Sequence, residues 1–546
     1  MIALRDYQTE AVNSIHGALS THQSTLCVLG TGGGKTVIAG FVIQEFMKLG
    51  RVIFVAHREE LLVQAQQKIS RITGFWPEME KAESYANLDK SFADNTGQIV
   101  VASIQTLIAG TNGWRRMNRY VPSEVSLLVF DEAHRSSAAS YRMVLSYFAS
   151  NPRIKLLGLT ATPRRTDNMA LGEIYSSVAC EFDAKELIGR GWLVPPKVLY
   201  TTIHGMDLSN VKTTAGDLNV GDLAKIMELA KPLNDVAKAT IDGCDGRKTI
   251  IFTVSVDQSR LLSEIINQHK PNSARYVSGK TNNIEREQII KDFRSGKFQY
   301  LANVGILTEG IDIPDASAVV MARPTKSTLV FAQQVGRALR PLDGLVDAHA
   351  TAEARKLAIL GSLKQNALII DLVGNSGRHK LCRITDILGG KYSTKVRELA
   401  ERIMQDKNAP VDVETALESA QSQVTDLDRK AAERLAMDRE RARKTEVEVN
   451  IFDPFGRMPT REHGRNGFIP ATEPQIKLAA SHNIDVSKLS KKQASGVIGK
   501  IMNGPNGRPA TVKQEKLLRW QKLWKDGMSF TEASAIITEL KAKGVF

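Results

Sequence analysis

Short, almost entirely apolar segments alternate with longer amphipathic ones along this 546-residue chain, and this alternation constrains the fold more than any other feature. The apolar segments of the first stretch are 25–29, 52–56, 99–102, 127–130 and 156–159, and those of the second are 249–254, 300–304, 318–321 and 367–371. Runs of this kind predict strands that are buried on both faces of a parallel sheet. The amphipathic segments between them, such as 36–49 and 59–72, predict connecting helices. The sequence therefore predicts an α/β protein with two parallel-sheet lobes in tandem.

Breaks in this pattern divide the chain into domains. Two glycines and two prolines within Gly189–Pro196 interrupt the alternation and predict a domain boundary. Residues 426–446 are dense in charges of both signs, which is typical of an exposed helix. We predict lobe 1 in 1–190, a linker or inserted element in 191–235, lobe 2 in 236–390, a charged helical connector in 391–450 and a basic, all-α repeat module in 451–546.

The last of these segments contains an internal repeat. Residues 471–478 match 510–517, and 490–498 match 529–537, each with an offset of 39 positions. Each copy predicts two short helices joined by a turn, with Ser490 or Ser529 as the N-cap of the second helix. Residues 451–546 hold 16 Lys and Arg but 8 Asp and Glu, so the module either binds nucleic acid or docks another protein, and both interpretations stay open. The spacing of Trp520 and Trp524 favours packing in the helix-pair core over stacking on bases.

The composition excludes several classes of protein. The formal net charge of +14 favours a polyanionic partner. Four cysteines stand far apart with no Cys-x-x-Cys pair, so we expect neither a zinc ribbon nor a dithiol redox site, and we expect a reducing cytoplasm. The amino-terminal segment lacks the apolar core of a signal peptide, and no run approaches the roughly 18 apolar residues that span a bilayer. Secreted and integral-membrane classes are therefore not expected.

A glycine-rich segment follows the first predicted strand and opens the first predicted connecting helix. It comprises Gly30, Thr31, Gly32, Gly33, Gly34, Lys35 and Thr36. Glycines let the backbone curl so that its N–H groups point at phosphate oxygens, and the helix N-terminus adds positive potential. Lys35 is suited to the β- and γ-phosphates of ATP, and the Thr36 hydroxyl is suited to Mg²⁺. Leu29 stands where the usual phosphate-loop pattern has glycine or alanine.

Two carboxylates, Asp131 and Glu132, directly follow the predicted strand 127–130. A carboxylate at the carboxyl end of a strand is suited to hold Mg²⁺, so we assign Asp131 to the metal together with Thr36. Glu132 is suited to orient and polarise the attacking water. The alternative is that this pair only caps a helix.

Gln333, Arg337 and Arg340 form a second polar group, in the second predicted lobe. Arginines three positions apart share one helix face, so both can point at one site where charge develops on the γ-phosphate. A site shared by the two lobes would couple their closure to ATP hydrolysis. The alternative is a basic surface patch on a helix.

Taken in order along the chain, these segments resemble the motifs of a superfamily 2 helicase over about residues 1–385. The glycine-rich loop resembles motif I, Asp131-Glu-Ala-His134 resembles motif II, and 333–340 resembles motif VI. Arg5 and Gln8 lie in a segment that resembles the adenine element, His57 and Arg58 in one that resembles motif Ia, and Gln105 and Thr106 in one that resembles motif Ib. Thr160 and Thr162 lie in a segment that resembles motif III, and Thr253 in one that resembles motif IV. Thr308, Gly310 and Asp312 lie in a segment that resembles motif V.

The resemblance implies two RecA-like lobes with ATP and Mg²⁺ bound between them. It implies that Arg5, Gln8, Gly310 and Asp312 join the phosphate loop in binding ATP. Arg337 and Arg340 would be arginine fingers. Coupling of hydrolysis to movement would involve His134, Thr160 and Thr162, and contact with nucleic acid would involve His57, Arg58, Gln105, Thr106, Thr253 and Thr308.

Within the superfamily the chain is most similar to DEAH-box helicases near the bacterial and phage RadD and XPB/Ssl types. RadD-type proteins carry a cysteine cluster after motif VI, whereas this chain has Cys382 alone there, so no zinc is expected. The resemblance implies an ATP-dependent helicase or translocase that acts on DNA, in preference to RNA, in replication, recombination or repair. The alternatives are an RNA helicase, a nucleotide-switched scaffold that clamps nucleic acid, and a motor subunit of a defence or restriction complex. A protein partner that binds the C-terminal repeat is a separate alternative to nucleic acid there.

Overall fold

The structure is a computed structural model, and it describes most of the chain. The described residues are 3–57, 59–88, 99–161, 171–244, 246–307, 313–377, 379–390, 392–407, 409–446, 469–482, 484–502 and 508–543. They form two compact units, Met1–Leu427 and Asp428–Phe546, which are described in turn.

Sixteen strands are present in the described residues. They are β1 Ser24–Leu29, β2 Arg51–Ala56, β3 Glu78–Glu80, β4 Ile99–Ser103, β5 Val125–Phe130, β6 Lys155–Thr160, β7 Ser177–Phe182, β8 Pro196–Asp207, β9 Thr213–Thr214, β10 Asp217–Leu218, β11 Thr249–Phe252, β12 Ala274–Val277, β13 Tyr300–Asn303, β14 Ala318–Met321, β15 Ala367–Asn375 and β16 Val411–Asp412.

The α-helices of the described residues are numbered in chain order. They are α1 Asp6–Thr21, α2 Lys35–Phe46, α3 Glu59–Thr73, α4 Ile104–Ile108, α5 Ala139–Phe148, α6 Ala184–Gly189, α7 Val220–Met227, α8 Ala230–Gly243, α9 Val256–His269, α10 Asn283–Arg294, α11 Thr328–Val335, α12 Ala352–Leu360, α13 Ile384–Leu388, α14 Thr394–Gln405, α15 Val413–Glu446, α16 Glu473–Ala480, α17 Lys491–Met502, α18 Val512–Trp520 and α19 Phe530–Ala542.

The first lobe is built on a seven-stranded parallel sheet with the order β3-β4-β2-β5-β6-β1-β7. Strands β1, β2 and β4 are buried along their whole length, as continuous apolar runs predict. Because β5, β6 and β1 are neighbours, the segments after their carboxyl ends meet at one edge of the sheet. This edge carries the glycine-rich loop, the Asp131-Glu132 pair and Thr160.

A buried carboxylate stabilises the far side of lobe 1. Glu80, at the end of β3, is fully buried and accepts hydrogen bonds from Arg116, Arg119 (2.8 Å), the Tyr120 hydroxyl (2.6 Å) and the Ala86 N–H (3.1 Å). A buried charge is tolerated only when it is paired and hydrogen-bonded in this way. Glu80 thus joins the segment after β3 to the segment that precedes β5.

The second lobe is built on another seven-stranded sheet, with the order β12-β13-β11-β14-β15-β8-β16. All its strand pairs are parallel except β16 with β8 at the edge. The predicted fold class, two tandem RecA-like parallel-sheet lobes in an α/β protein, is confirmed.

Strand β8 departs from the sequence-based division of the chain. It begins at Pro196, inside the segment 191–235 that we predicted as a linker or inserted element, yet it pairs with β15 within the sheet of lobe 2. Its residues are alternately buried and partly exposed over most of its length, because it lies next to the edge strand. A search for continuous apolar runs does not find such a strand. The two lobes are therefore joined by only a few residues, 190–195.

The segment predicted as a helical connector, 391–450, packs partly on lobe 2. Helix α14 buries Val396, Ala400 and Met404, and the first turns of α15 bury Val413 and Leu417. The described remainder of α15 is dominated by exposed side chains.

The C-terminal unit contains two helix pairs, α16 with α17 and α18 with α19, as the repeat predicts. Equivalent hydrogen bonds recur at the offset of 39: Gln475 Nε2 donates to Ser495 Oγ (2.7 Å), and Gln514 Nε2 donates to Ser534 Oγ (2.8 Å). Each pair has its own small apolar cluster. Among the described helices, none is both long and apolar enough to cross a membrane.

Candidate nucleotide and nucleic-acid site

The glycine-rich loop forms a tight turn between β1 and α2. Gly32 and Gly34 have φ values of 95° and 84°, a conformation that residues with a Cβ atom rarely adopt. A hydrogen bond from the Gly33 N–H to the Gly30 carbonyl (3.0 Å) closes the turn, and α2 begins at Lys35. The helix N-terminus therefore points its free N–H groups at the loop, which favours an anion there.

Leu29, the departure from the usual pattern, fits because of Gly33. The Leu29 side chain is fully buried, and a Cβ atom at Gly33 would lie 2.7 Å from Leu29 Cγ. The missing side chain of Gly33 thus makes room for a leucine in the position where small residues are common.

Lys35 and Glu132 form an ion pair at the carboxyl edge of the sheet. Lys35 Nζ lies 2.7 Å from Glu132 Oε1, and the two side chains are 15% and 11% exposed. His134 Nδ1 lies 3.3 Å from the other oxygen, Glu132 Oε2. Glu132 itself has a left-handed backbone (φ 50°), and its N–H donates to Asp131 Oδ1 at 3.0 Å. The structure therefore brings together Lys35, Asp131, Glu132 and His134, as predicted.

The environment keeps Glu132 ionised. Burial alone would raise the pKa of this carboxyl, but the Lys35 ammonium and His134 hold the pKa below its usual value. A carboxylate that stays charged at neutral pH can orient a water molecule by accepting its hydrogen bond.

Arg340 and Gly336 of lobe 2 lie against the phosphate loop of lobe 1. A Cβ atom at Gly32 would lie 3.3 Å from Arg340 Cγ, and a Cβ atom at Gly336 would lie 2.5 Å from Thr31 Cβ. Arg337, one residue after Gly336, is 6% exposed, and Gln333 is 5% exposed. The structure thus places Arg340 and the backbone before Arg337 at the loop that would cradle the triphosphate.

A cavity of about 460 Å³ lies at this junction of the two lobes. Gly30, Thr31 and Asp183 line it from lobe 1, and Ala332 and Gly336 line it from lobe 2. Its size falls within the range of small-molecule sites in proteins.

The predicted adenine element contacts the phosphate loop through its first helix. The Tyr7 hydroxyl and Gln8 Nε2 both donate to the Gly33 carbonyl, at 2.7 and 3.1 Å. Gln8 Oε1 accepts from the Arg5 N–H at 3.0 Å, which fixes its orientation. A Cβ atom at Gly34 would lie 2.6 Å from Gln8 Nε2, so only glycine allows this approach. Gln8 is therefore bonded to the loop and Arg5 is bonded to Gln8, and their role in binding ATP stays a prediction.

The first turn of α1 is also bound to lobe 2, through residues that the sequence analysis did not single out. Arg355 Nη2 lies 3.1 Å from Asp6 Oδ2, and its guanidinium lies 4.0 Å from the centroid of the Trp192 ring. Trp192 Nε1 donates to Asp6 Oδ1 (2.7 Å), and Arg5 Nε donates to Asp347 Oδ1 (2.9 Å). We call Asp6, Trp192 and Arg355 the interlobe cluster. These contacts join residues far apart in sequence. The one sequence feature that could have pointed to them is the glycine- and proline-rich domain boundary around Trp192.

The residues predicted to hold Mg²⁺, Thr36 and Asp131, offer the type of ligand atom that this ion prefers. Thr36 offers a hydroxyl oxygen and Asp131 a carboxylate oxygen, and Mg²⁺ prefers oxygen ligands while keeping several waters or phosphate oxygens. Within the described residues, no group of three or more His, Cys, Asp or Glu is placed to hold a metal ion. Two protein oxygens are nevertheless compatible with a nucleotide-bound Mg²⁺, because phosphate oxygens and water supply its other ligands.

The residues predicted to contact nucleic acid differ in their accessibility. Gln105 Nε2 lies 2.8 Å from His57 Nδ1 and donates to the His57 carbonyl (3.1 Å), so these two lie together on the carboxyl edge of β2 and β4. Thr106 is 7% exposed, and its hydroxyl accepts the Ala82 N–H. Thr253 is 1% exposed, and its hydroxyl bonds to Ser259 and to the Asn303 carbonyl. The Thr106 and Thr253 side chains are thus not accessible to a ligand in this structure, and contact there stays a prediction.

The remaining predicted residues are one buried threonine and five residues outside the described part of the chain. Thr160 is fully buried at the end of β6, beside the phosphate-loop strand. Arg58, Thr162, Thr308, Gly310 and Asp312 lie outside the described residues.

Comparisons with known proteins match the two lobes separately. Residues 1–165 match the family model described as "Type III restriction enzyme, res subunit", and residues 233–341 match that of the "Helicase conserved C-terminal domain".

Individual relatives cover a similar share of the chain. IRC3 of Saccharomyces cerevisiae, whose name describes a candidate ATP-dependent helicase, is 33% identical over 353 residues, which are 62% of this chain and 49% of that protein. A 51.5 kDa protein of a Lactococcus phage is 28% identical, over 57% of this chain and 61% of its own length. The DNA 3'-5' translocase XPB2 of Sulfurisphaera tokodaii is 25% identical, over 63% of this chain and 80% of its own length. The chain thus covers about half of the yeast protein.

Proposed function

We propose that this protein, which contains a superfamily 2 helicase core, is an ATP-dependent helicase or translocase that acts on DNA. One observation carries the proposal: Arg340 of lobe 2 lies beside the phosphate loop of lobe 1, where a Cβ atom at Gly32 would be 3.3 Å from Arg340 Cγ. A nucleotide bound to that loop would touch both lobes, so its binding and hydrolysis would change how the lobes meet.

The proposed hydrolysis uses the groups that surround the loop. The backbone of Gly30–Gly34 and the Lys35 ammonium would bind the phosphates. Glu132 would orient the attacking water, and Arg337 and Arg340 would stabilise charge that develops on the γ-phosphate. Mg²⁺, held by Thr36 and Asp131, would neutralise charge on the β- and γ-phosphates.

Coupling to movement would use the shared cleft. His134 lies beside Glu132 in lobe 1, and the buried Gln333 of lobe 2 would complete the cleft, so a change at the γ-phosphate would reach both lobes. In this proposal Thr160 and Thr162 transmit the change within lobe 1, and Gly310 and Asp312 complete the nucleotide site.

DNA is the proposed track. The His57–Gln105 pair lies at the carboxyl edge of the sheet. The proposed contacts also include Arg58, Thr308 and the segments around Thr106 and Thr253, whose own side chains are buried. Contacts of this kind are mainly to phosphates, so affinity should be insensitive to sequence and should fall steeply with salt. The name of the Sulfurisphaera relative supports DNA over RNA.

We also propose the narrower assignments made from the sequence. The Asp131-Glu-Ala-His134 segment supports a DEAH-box type near the RadD and XPB/Ssl groups, and the XPB2 relative supports that neighbourhood. The proposed role is in DNA replication, recombination or repair, in the cytoplasm, without zinc.

The decisive experiment measures ATP hydrolysis with single-stranded DNA, duplex DNA, forked DNA and RNA, followed by strand displacement on the best substrate. The proposal predicts stimulation by DNA and displacement of a strand or of a bound protein. Lys35→Ala and Glu132→Gln should abolish turnover with the fold intact, and near-normal turnover in either variant would contradict the site. Stimulation by RNA alone would favour an RNA helicase.

The alternative from the sequence analysis is a motor subunit of a restriction or defence complex, over which the names of the relatives favour a helicase or translocase. Such a subunit would move on duplex DNA without separating its strands. Displacement of a third strand from a triplex, with no unwinding of forks, would distinguish it from a helicase. Stimulated hydrolysis with neither kind of displacement would favour a nucleotide-switched clamp.

A further inference from the structure

One face of the second C-terminal repeat combines lysines with an exposed tryptophan. Lys513, Lys516 and Trp520 are spaced three and seven positions apart on α18, so they lie on one side of the helix. All three are exposed, Trp520 to 71%. Leu518, on the opposite side, is fully buried in the cluster of this repeat. We call the Lys513, Lys516 and Trp520 side the α18 face.

Trp520 and its neighbour Trp524 have different surroundings. Trp524 packs against the buried cluster of its repeat, and its Nε1 donates to Asp526 at 3.0 Å. Packing in the core, which the spacing favoured for both tryptophans, thus applies to Trp524 alone. A large aromatic side chain held at the surface among lysines is typical of an interaction site.

The positive charge of this face is not neutralised by neighbouring acids. Arg519 is ion-paired with Glu515 (2.9 Å) and Asp526 (3.1 Å). By contrast, Lys513 and Lys516 make no ion pair with any residue that the structure describes. Residues 469–543 hold 13 Lys and Arg and 6 Asp and Glu, so the whole module is positive. An anionic partner is therefore favoured.

The repeat itself offers one rival occupant of this face. In the first repeat, the Ser481 carbonyl accepts the Val512 N–H (2.9 Å), and the second repeat begins there. Trp520 is the equivalent of Ser481 at the offset of 39, so another copy of the module could stack on it. Two copies of a positive module repel each other, whereas a polyanion is attracted.

We propose that the α18 face binds single-stranded DNA, with Lys513 and Lys516 on phosphates and Trp520 stacked on a base. Stacking needs an unpaired base, which a duplex does not offer. This inference rests on the proposed function in one point, namely that the polyanion is DNA. In the described part of this module, the exposed large apolar side chains are Ile469, Trp520 and Leu523. Three such side chains expose too little apolar surface to bind a membrane.

The test uses the full chain and measures anisotropy of a fluorescein-labelled oligo-dT strand and of a duplex of equal length, across a series of salt concentrations. Trp520→Ala should weaken binding of the strand about tenfold and leave binding of the duplex unchanged. Trp76→Ala, which removes a 61% exposed tryptophan from lobe 1, is the matched control and should bind like the wild type.

A charge variant tests the lysines. Lys513→Gln with Lys516→Gln should weaken binding and reduce the slope of log affinity against log salt by about 1.4, because each phosphate contact to a single strand contributes about 0.7. Lys225→Gln with Lys231→Gln, on exposed positions of lobe 2, controls for net charge.

Three outcomes would overturn the proposal. The first is that Trp520→Ala binds the strand as Trp76→Ala does, and the second is that it weakens binding of duplex and single strand equally. The third is that Trp520→Ala abolishes a self-association that the wild type shows in sedimentation, which would assign the face to a second copy. ATP hydrolysis is measured on the same samples. If Trp520→Ala loses strand binding while DNA does not stimulate ATP hydrolysis by the wild type, this proposal stands and the proposed helicase or translocase function is rejected.

Discussion

The ion pair between Lys35 and Glu132 predicts an unusual property of the Glu132→Gln variant. In this structure the ammonium that would bind the phosphates is held by a carboxylate 2.7 Å away, so ATP must compete with Glu132 for Lys35. Removing the charge of Glu132 should abolish hydrolysis and at the same time tighten nucleotide binding.

The expected magnitude follows from the geometry of the pair. A hydrogen bond between charged groups contributes about 1.5–3 kcal/mol, and a neutral acceptor retains about half of it. The side chains are only 15% and 11% exposed, so solvent screens the pair weakly. We therefore expect Glu132→Gln to gain about 0.75–1.5 kcal/mol, or roughly 4- to 13-fold in affinity for ATP.

The assay is equilibrium titration of a non-hydrolysable ATP analogue with Mg²⁺ into the wild type, Glu132→Gln, Lys35→Ala and the double variant. Glu132→Gln should improve affinity only when Lys35 is present. If the gain persists in the Lys35→Ala background, it comes from direct repulsion between Glu132 and the triphosphate, and the competition argument is refuted. Glu124→Gln, near the opposite end of β5, controls for loss of one negative charge.

Three further predictions concern the interlobe cluster, the buried Glu80 and the pH dependence of Glu132. Arg355→Ala removes the contacts of Arg355 with Asp6 and Trp192 in the interlobe cluster, so KM for ATP should rise about 5-fold or more, with a smaller change in kcat. An unchanged KM in Arg355→Ala, or a KM restored to the wild-type value by Arg355→Lys, would contradict the role of the planar guanidinium. Glu80→Ala leaves Arg116 and Arg119 without their buried partner and should destabilise lobe 1 by roughly 3–5 kcal/mol, measured as a fall in Tm, and a loss below about 1 kcal/mol would contradict it. Because the folded-state pKa of Glu132 lies below its usual value near 4.5, its contribution to stability is present above about pH 4.5 and is lost as pH falls toward the folded pKa. The Tm difference between the wild type and Glu132→Gln should accordingly be constant from neutral pH to about pH 5 and shrink in more acidic buffer, and a difference that changes near neutrality would contradict this assignment.

The sequence predicted the buried strands because burial on both faces leaves a local signal. The segments 52–56 and 318–321 are continuous apolar runs, and the structure has strands at Arg51–Ala56 and Ala318–Met321. It missed β8, whose residues alternate in burial. A strand of this kind has no continuous apolar run, and its partner β15 lies far along the chain.

The site was predicted where each residue type carries its own chemistry, as with Lys35, Asp131 and Glu132. Sequence could not supply the interlobe cluster, because nothing near Arg355 indicates that its guanidinium reaches Asp6 and Trp192. Nor could it show that the Thr253 side chain is buried, since threonine is common both in cores and at ligand sites.

The pairing of β8 has a consequence for synthesis of the chain on the ribosome. Pro196 leaves the ribosome soon after lobe 1, but its partner Ala367 follows about 170 positions later. At roughly 5–20 residues per second, β8 waits on the order of ten to thirty seconds without a neighbouring strand. An unpaired strand during that interval invites association between nascent chains, so the yield of active protein should rise with slower initiation or with holding chaperones.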